Sequence, residues 1–262
     1  MLWTRVASGV VLAPLFLLLV YLEFPYFAGL VVALAGAMAW EFSRMDSNSG
    51  SKRRALITTA AVAAVAAMAF GYVAPAYIIV GLASVALVVA DQIAGRNGLH
   101  VLHIAVVYVA VPALCLLYVM TIGGAQSIFW VLAVVWATDI GAYACGRILG
   151  GPKLVPAISP NKTWSGAVGG LISGVLASAA VLFWGYGQQI MVGLVLLAAG
   201  LSVVSQIGDL FESALKRRYQ VKDSGGLIPG HGGVMDRFDG LWAAAPVAAV
   251  FCLVLKGGVE TW

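Results

Sequence analysis

Ser213-Ala-Leu-Lys-Arg-Arg-Tyr-Gln-Val-Lys-Asp-Ser-Gly-Gly-Leu-Ile-Pro-Gly-His-Gly-Gly-Val-Met-Asp-Arg-Phe-Asp-Gly240 is a polar interruption between two long apolar runs, near 189–208 and 241–258. Charged residues make up 10% of the chain, yet Lys216, Arg217, Arg218, Lys222, Asp223, Asp236, Arg237 and Asp239 all fall inside this stretch. Glycines and His231, one of three histidines, are mixed among them. Charge crowded between hydrophobic spans is costly and is usually functional. Clustered cations suit an anionic ligand, carboxylates suit a hard divalent metal, and glycines let backbone N–H groups approach phosphate oxygens. The composition therefore suits metal-assisted phosphate chemistry. An ordinary cytoplasmic loop would explain the lysines and arginines but not the aspartates, the histidine or the glycines.

Outward from that stretch the chain is apolar. It is 62% hydrophobic with a mean hydropathy of +0.98, against roughly half apolar and about a quarter charged in a soluble domain. The expected fold is an all-α, polytopic helical bundle in a membrane. Runs of about the ~20 residues a membrane helix needs lie near 6–22, 26–41, 55–73, 75–92, 101–121, 127–147, 166–184, 189–208 and 241–258, which predicts nine transmembrane helices. No small-residue cleavage pattern follows the first run, so it reads as a retained helix rather than a signal peptide.

The connections alternate between basic and neutral. Arg5, then 42–54, 93–100, 147–165 and 209–240, hold fourteen of the fifteen lysines and arginines, and only Lys256 lies elsewhere. The connections near 23–25, 74, 122–126 and 185–188 have none. The positive-inside rule then predicts a cytoplasmic N-terminus and an outside C-terminus. The net charge of +4 needs no nucleic-acid partner, since basic residues gather at cytoplasmic loops and anionic headgroups. Cys115, Cys145 and Cys252 are odd in number and far apart, which indicates neither a disulfide framework nor a zinc site.

Residues 1–126, holding runs one to five, read as a scaffold. His100 and His103 read as helix-end histidines, and Asp91 and Arg96 as headgroup-level charges. Residues 127–262, holding runs six to nine and the cytoplasmic loops 147–165 and 209–240, read as the catalytic region. Asp139 lies deep in or near the end of run six, where an ionisable residue normally faces a polar cavity or partner. Ser159, Asn161, Lys162 and Thr163 form a hydroxyl–amide–ammonium cluster of the kind that grips phosphate. Gly166, Gly170 and Gly174 form a small-residue stripe for close helix packing. If run eight continues past the membrane surface as helix, Asp209, Glu212, Ser213 and Lys216 share one face.

Ser213, Lys216-Arg217, Lys222-Asp223, Gly225, Leu227 or Ile228 with Pro229, His231-Gly232-Gly233, Asp236-Arg237 and Asp239 together resemble the signature of the phosphatidate cytidylyltransferases, the CDP-diacylglycerol synthases. Asp139-x-Gly141-Ala-Tyr143 and Ser159-Pro-x-Lys162-Thr163 add to the resemblance, which covers about 105 residues with motifs. One departure is Ser165, where the family usually has Glu shortly after Lys-Thr-Trp. The resemblance implies transfer of a cytidylyl group from CTP to phosphatidate, giving CDP-diacylglycerol and pyrophosphate, with magnesium (Mg2+) required. It implies a cytoplasmic-side site in the cell membrane. Asp209 and Asp236 are the first choices as metal ligands, with Asp223 and Asp239 next. Lys216, Arg217, Lys222 and Arg237 are assigned to phosphates, and His231 to a phosphate or the departing pyrophosphate. Ser213, Gly232 and Gly233 are placed among the substrate-binding residues, and a homodimer is compatible with the reading.

Two other classes compete. A secondary transporter would show duplicated halves and a midplane site, whereas here the charge is one-sided and no internal repeat is visible. A CTP-using lipid kinase would leave only a phosphate on its product, where a cytidylyltransferase leaves CMP.

Overall fold

The computed structural model describes residues 2–46, 49–95, 101–185, 192–228, 230, 232–259 and 261–262, with the side chains of 2–8, 101 and 185 left aside. Its elements are helices α1 (Leu2–Tyr21), α2 (Tyr26–Met45), α3 (Ser51–Ala69), α4 (Val73–Ile93) and α5 (Ala105–Leu149), strands β1 (Lys153–Val155) and β2 (Ser159–Thr163), and helices α6 (Trp164–Ala180), α7 (Val192–Arg218) and α8 (Met235–Leu255). Helix α5 is two helices meeting at Gly124, whose φ of 62° and ψ of −174° break the helical path. Its 45 residues would otherwise be about 68 Å long, far more than the ~30 Å of bilayer hydrocarbon.

Among the described residues six helical stretches are long and apolar enough to cross a membrane: Tyr26–Met45, Val73–Ile93, Leu102–Leu149, Trp164–Trp184, Val192–Arg218 and Met235–Leu255. Large apolar side chains point outward along them, with Leu82, Leu176, Leu196 and Leu253 all more than 60% exposed. A water-soluble protein would bury these residues, so the chain reads as a multi-pass membrane protein. The expected all-α class gains one exception. The turn-rich loop after α5 folds into an antiparallel hairpin, with Lys153 opposite Thr163 and Val155 opposite Ser159. The last apolar run also starts earlier than expected, because α8 begins at Met235 and takes Asp236, Arg237 and Asp239 into its first turns.

The chain divides into two compact units, Met1–Leu117 with Val221–Arg237, and Tyr118–Gln220 with Phe238–Trp262. The segment 221–237, expected with residues 127–262, groups here with α1 to α4. In the first unit α2 packs on α3 and α3 on α4, around Phe27, Met38, Phe42, Ile57 and Leu87. Asp91, expected at headgroup level, is instead buried, with its Oδ2 2.7 Å from both Arg53 Nη2 and His103 Nε2. A carboxylate sealed from water needs partners of this kind. Arg96 and His100 lie outside the described residues.

In the second unit α6 packs into the C-terminal half of α5 through the expected glycine stripe. A Cβ on Gly166 would stand 2.8 Å from the Ala142 carbonyl, one on Gly170 2.8 Å from the Thr138 carbonyl, and one on Gly174 2.5 Å from Thr138 Oγ1. Across the bundle, a Cβ on Gly208 of α7 would reach the Asp239 carbonyl of α8 at 2.8 Å. Small residues thus let these backbones approach where side chains would hold them apart.

Two glycines separate packing from propensity. Gly170→Ala forces a methyl against a backbone carbonyl and should lower stability by about 1–3 kcal/mol. Gly200→Ala, with nothing within 4 Å of its new Cβ, should be neutral or slightly stabilising. Thermal unfolding of the two variants in detergent checks the pair; equal midpoints would show that the stripe is not in tight contact.

Candidate active site

The second unit gathers its charge where α5, α7, α8 and the hairpin end. Helix α7 runs on as helix to Arg218, so the expected polar face forms. Ser213 Oγ donates to Asp209 Oδ1 at 3.4 Å, and Lys216 Nζ lies 3.1 Å from Glu212 Oε1. Glu212 is fully buried, and its lysine is the countercharge such a carboxylate requires. Lys216, Arg217 and Arg218 close the last turn, where cations suit the negative end of the helix dipole.

Strand β2 brings Lys162 to the same place. Its Nζ is 2.6 Å from Asp209 Oδ2, with 26% and 37% of the two side chains exposed. Asp139 of α5 and Asp239 of α8 lie near enough to Asp209 for their charges to repel, with Lys162 and Lys216 acting against that repulsion. The Gly240 amide donates to Asp239 Oδ1 at 2.7 Å. Four elements therefore bring three aspartates and two lysines together, although Asp139 and Asp239 are 100 positions apart in the chain.

The hairpin is tied to this region by Arg217, whose Nε donates to the Ile158 carbonyl at 3.3 Å. Thr163, expected to contact substrate, caps α6, its Oγ1 accepting from the Gly166 amide at 3.1 Å. Ser165, at the position that departs from the family pattern, donates to the Gly150 carbonyl and lies 3.0 Å from Thr163 Oγ1. It binds the start of α6 to the end of α5. Ser159 is half-buried in the hairpin and Asn161 is exposed.

The first unit holds the other part of the motif. Lys222, Asp223 and Arg237 are exposed. Asp236 Oδ2 accepts from the Ser224 amide at 3.0 Å, the Ser224 hydroxyl at 3.0 Å and the Gly233 amide at 2.9 Å. Gly232, at φ +87°, makes the turn that leads into these bonds, a conformation that glycine adopts without strain. Ile228 and Gly232 close the turn with an amide-to-carbonyl bond of 3.0 Å. His231 and Pro229 lie outside the described residues.

Sequence reasoning missed Glu41. It is buried on α2, its Oε2 accepts from the Met235 amide at 2.9 Å, and at 3.3 Å it shares the single proton of the Ser224 hydroxyl with Asp236 Oδ2. The signal was present, since Glu41 is a lone carboxylate at the end of an apolar run.

The sequence is similar to curated proteins over about half of its length. It is 53% identical over 133 residues to the phosphatidate cytidylyltransferase of Brucella suis biovar 1 (strain 1330), covering 49% of this chain and 47% of that protein. The protein of the same name from Bacillus subtilis (strain 168) is 46% identical over 123 residues, 47% and 46% of the two chains. That from Haemophilus influenzae (strain ATCC 51907 / DSM 11121 / KW20 / Rd) is 42% identical over 132 residues, 49% and 46%. The chain spans about half the length of the curated relatives it matches. A sequence model described as the Cytidylyltransferase family matches further, over residues 3–255. It takes in α2 with Glu41 as well as the charged ends of α5, α7 and α8, and by that extent the chain belongs to the cytidylyltransferase family.

Proposed function

We propose that this protein transfers a cytidylyl group from CTP to phosphatidate in a membrane, giving CDP-diacylglycerol and pyrophosphate for phospholipid synthesis. The observation that carries the reading is the meeting of Lys162, Lys216 and three aspartates at one end of α5, α7 and α8, on helices that fit a bilayer. Phosphatidate keeps its acyl chains among such helices, while its headgroup and CTP need the polar ends. The phosphate oxygen of phosphatidate attacks the α-phosphorus of CTP, and the bond to the β-phosphate oxygen breaks. That nucleophile is already anionic at neutral pH, so positioning and charge neutralisation supply most of the rate. Lys162, Lys216, Arg217, Lys222 and Arg237 are assigned to the crowded phosphates, guanidinium bidentately and ammonium as a point charge.

Magnesium is the proposed cofactor, with Asp209 as a ligand and Asp236 or Asp239 as its partner. The donors fit a hard cation. Among the described residues no three His, Cys, Asp or Glu side chains are placed to hold a metal by themselves. Magnesium sites of one or two carboxylates, completed by water and substrate phosphates, need no such cage. When bound, the ion would neutralise phosphate charge and favour departure of pyrophosphate.

The proposed topology is nine crossings with the site facing the cytoplasm. Contacts inside each unit support it, because each joins chain ends that the alternation places on one side. Glu41 near the end of α2 meets Ser224 and Met235, and Arg53 at the start of α3 meets Asp91 at the end of α4. Lys162 meets Asp209, while Val259 donates to Ser127 Oγ at 2.9 Å on the opposite side. The cell membrane is the proposed location, and a homodimer is compatible with the reading.

With labelled CTP, dispersed phosphatidate and magnesium, the product should carry CMP; a product bearing only an added phosphate would identify a lipid kinase. Asp209→Asn and Asp236→Asn should each abolish most turnover while the protein still folds. If the two share a metal, the double variant should be little worse than either single one. Near-normal activity in Asp236→Asn at saturating magnesium would move the partnership to Asp239.

Cysteine labelling tests topology in a background with Cys115, Cys145 and Cys252 replaced. Gly50→Cys and Gln220→Cys should react from the cytoplasmic side, and Gly187→Cys only from outside. Labelling of all three from one side would overturn the nine-span arrangement.

Ser165→Glu should leave turnover within about a few fold if neighbouring acids already supply what the family's glutamate supplies. A large gain would show that the site works without a full complement of carboxylates.

A further inference from the structure

Glu41 lies outside the charged motifs, 183 positions from Ser224 and 194 from Met235, yet it holds the segment between them. The Met235 amide opens α8, and the first amides of a helix have no partner within it. Glu41 Oε2 satisfies that one at 2.9 Å from another helix, placing a carboxylate at the positive end of the α8 dipole. The same oxygen lies 3.3 Å from the Ser224 hydroxyl, whose one proton it shares with Asp236 Oδ2 at 3.0 Å. Asp236 in turn gathers the Ser224 and Gly233 amides. Buried Glu41 thus ties both ends of the glycine-rich turn, and half-buried Asp236 ties the turn to itself.

The space around Glu41 agrees with this role. A Cβ on Gly225 or on Gly233 would come within 3.0 Å of Glu41 carboxylate oxygens. Two glycines of the motif therefore leave room for this side chain. Glu41 is 2% exposed and Ser224 6% exposed, so water offers no substitute for the bonds between them. Losing a hydrogen bond to a charged, buried group costs more than losing an exposed one.

We propose that Glu41 is a positioning residue: it locks the 224–235 turn onto α2 and so presents Lys222, Asp223 and Arg237, at either edge of that turn, to the phosphates of the substrate. This rests on the cytidylyltransferase reading of the site. The role is one of hydrogen bonding through Oε2. Oε1 has no hydrogen-bond partner among the described residues, so glutamine, with its carbonyl at Oε2, keeps an acceptor for the Met235 amide but loses the charge and leaves a buried amide nitrogen without an acceptor, and should fall between wild type and alanine.

The test pairs an activity-independent readout with a kinetic one. Amide hydrogen exchange of the 224–235 peptide in lipid nanodiscs should rise about tenfold or more in Glu41→Ala, which loses the Met235 amide bond and the shared Ser224 hydroxyl contact to a charged group. The peptide covering α3, 51–69, should be unchanged. KM for CTP should rise about tenfold in the same variant, more than kcat falls, and Glu41→Gln should lie between wild type and Glu41→Ala in both readouts. Unchanged exchange at 224–235 in Glu41→Ala would overturn the proposal. So would Glu41→Gln failing as badly as Glu41→Ala, or a general rise in exchange through α2 and α3 with KM unmoved. Should Glu41→Ala not accumulate, Ser224→Ala removes the bridging hydroxyl and should raise exchange locally; no local rise there counts against the lock. Wild type without activity towards CTP would refute the cytidylyltransferase reading and leave the exchange comparison standing.

Discussion

The close approach of α5, α7 and α8 at their glycines is the constraint from which the charged site follows. Gly208 precedes Asp209 and has the Asp239 carbonyl where its Cβ would be; Gly240 follows Asp239 and stands against Ser205 and Val135. Gly141, two residues after Asp139, is pressed against Ser173 and the Gly169 carbonyl of α6. Each of the three aspartates therefore lies at or beside a crossing that only a small residue permits. Helices separated by leucine-sized side chains would hold these carboxylates apart. Crowding carboxylates raises their mutual repulsion, and Lys162 and Lys216 are the charges that oppose it.

The same logic explains which features were legible in the sequence. Apolar runs are local, and all the helices were foreseen within a few residues at most ends. The polar face of α7 was legible because Asp209, Glu212, Ser213 and Lys216 repeat with the helical period. The glycine stripe of α6 was legible for the same reason. The hairpin was not, since Lys153–Val155 and Ser159–Thr163 are short, and Pro, Asn and Lys show no alternation of apolar and polar residues. Such strands form because the chain must turn between α5 and α6, and not from intrinsic propensity.

Contacts distant in sequence were the least legible. Asp91 looks like a helix-end charge until α3 brings Arg53 to it and the turn just before α5 brings His103. Glu41 looks like the edge of an apolar run until residues nearly two hundred positions later supply its donors. Pattern reading sees which residues are costly to bury; it does not see which distant groups remove that cost. Asp209 with Lys162 combined both situations. Each was singled out from its own surroundings, and their ion pair required the hairpin that went unforeseen.

The carboxylates of this protein are neutralised in two different ways, and the difference separates scaffold from site. Glu41 is held by a backbone amide and a short hydroxyl, and Asp91 by a guanidinium and an imidazole, all deep in the protein. Groups this short or planar fix one geometry. Asp209 is held by lysine, a point charge on a long flexible stem, with both side chains partly open. A lysine can shift from a carboxylate to a phosphate oxygen without disturbing the backbone, whereas an amide cannot. Asp236 stands between these classes, since amides hold one of its oxygens while the residue is only half-buried. Asp209 is therefore the carboxylate whose lysine partner can exchange without moving the backbone, whereas the partners of Glu41 and Asp91 hold α2 and α4 in one arrangement.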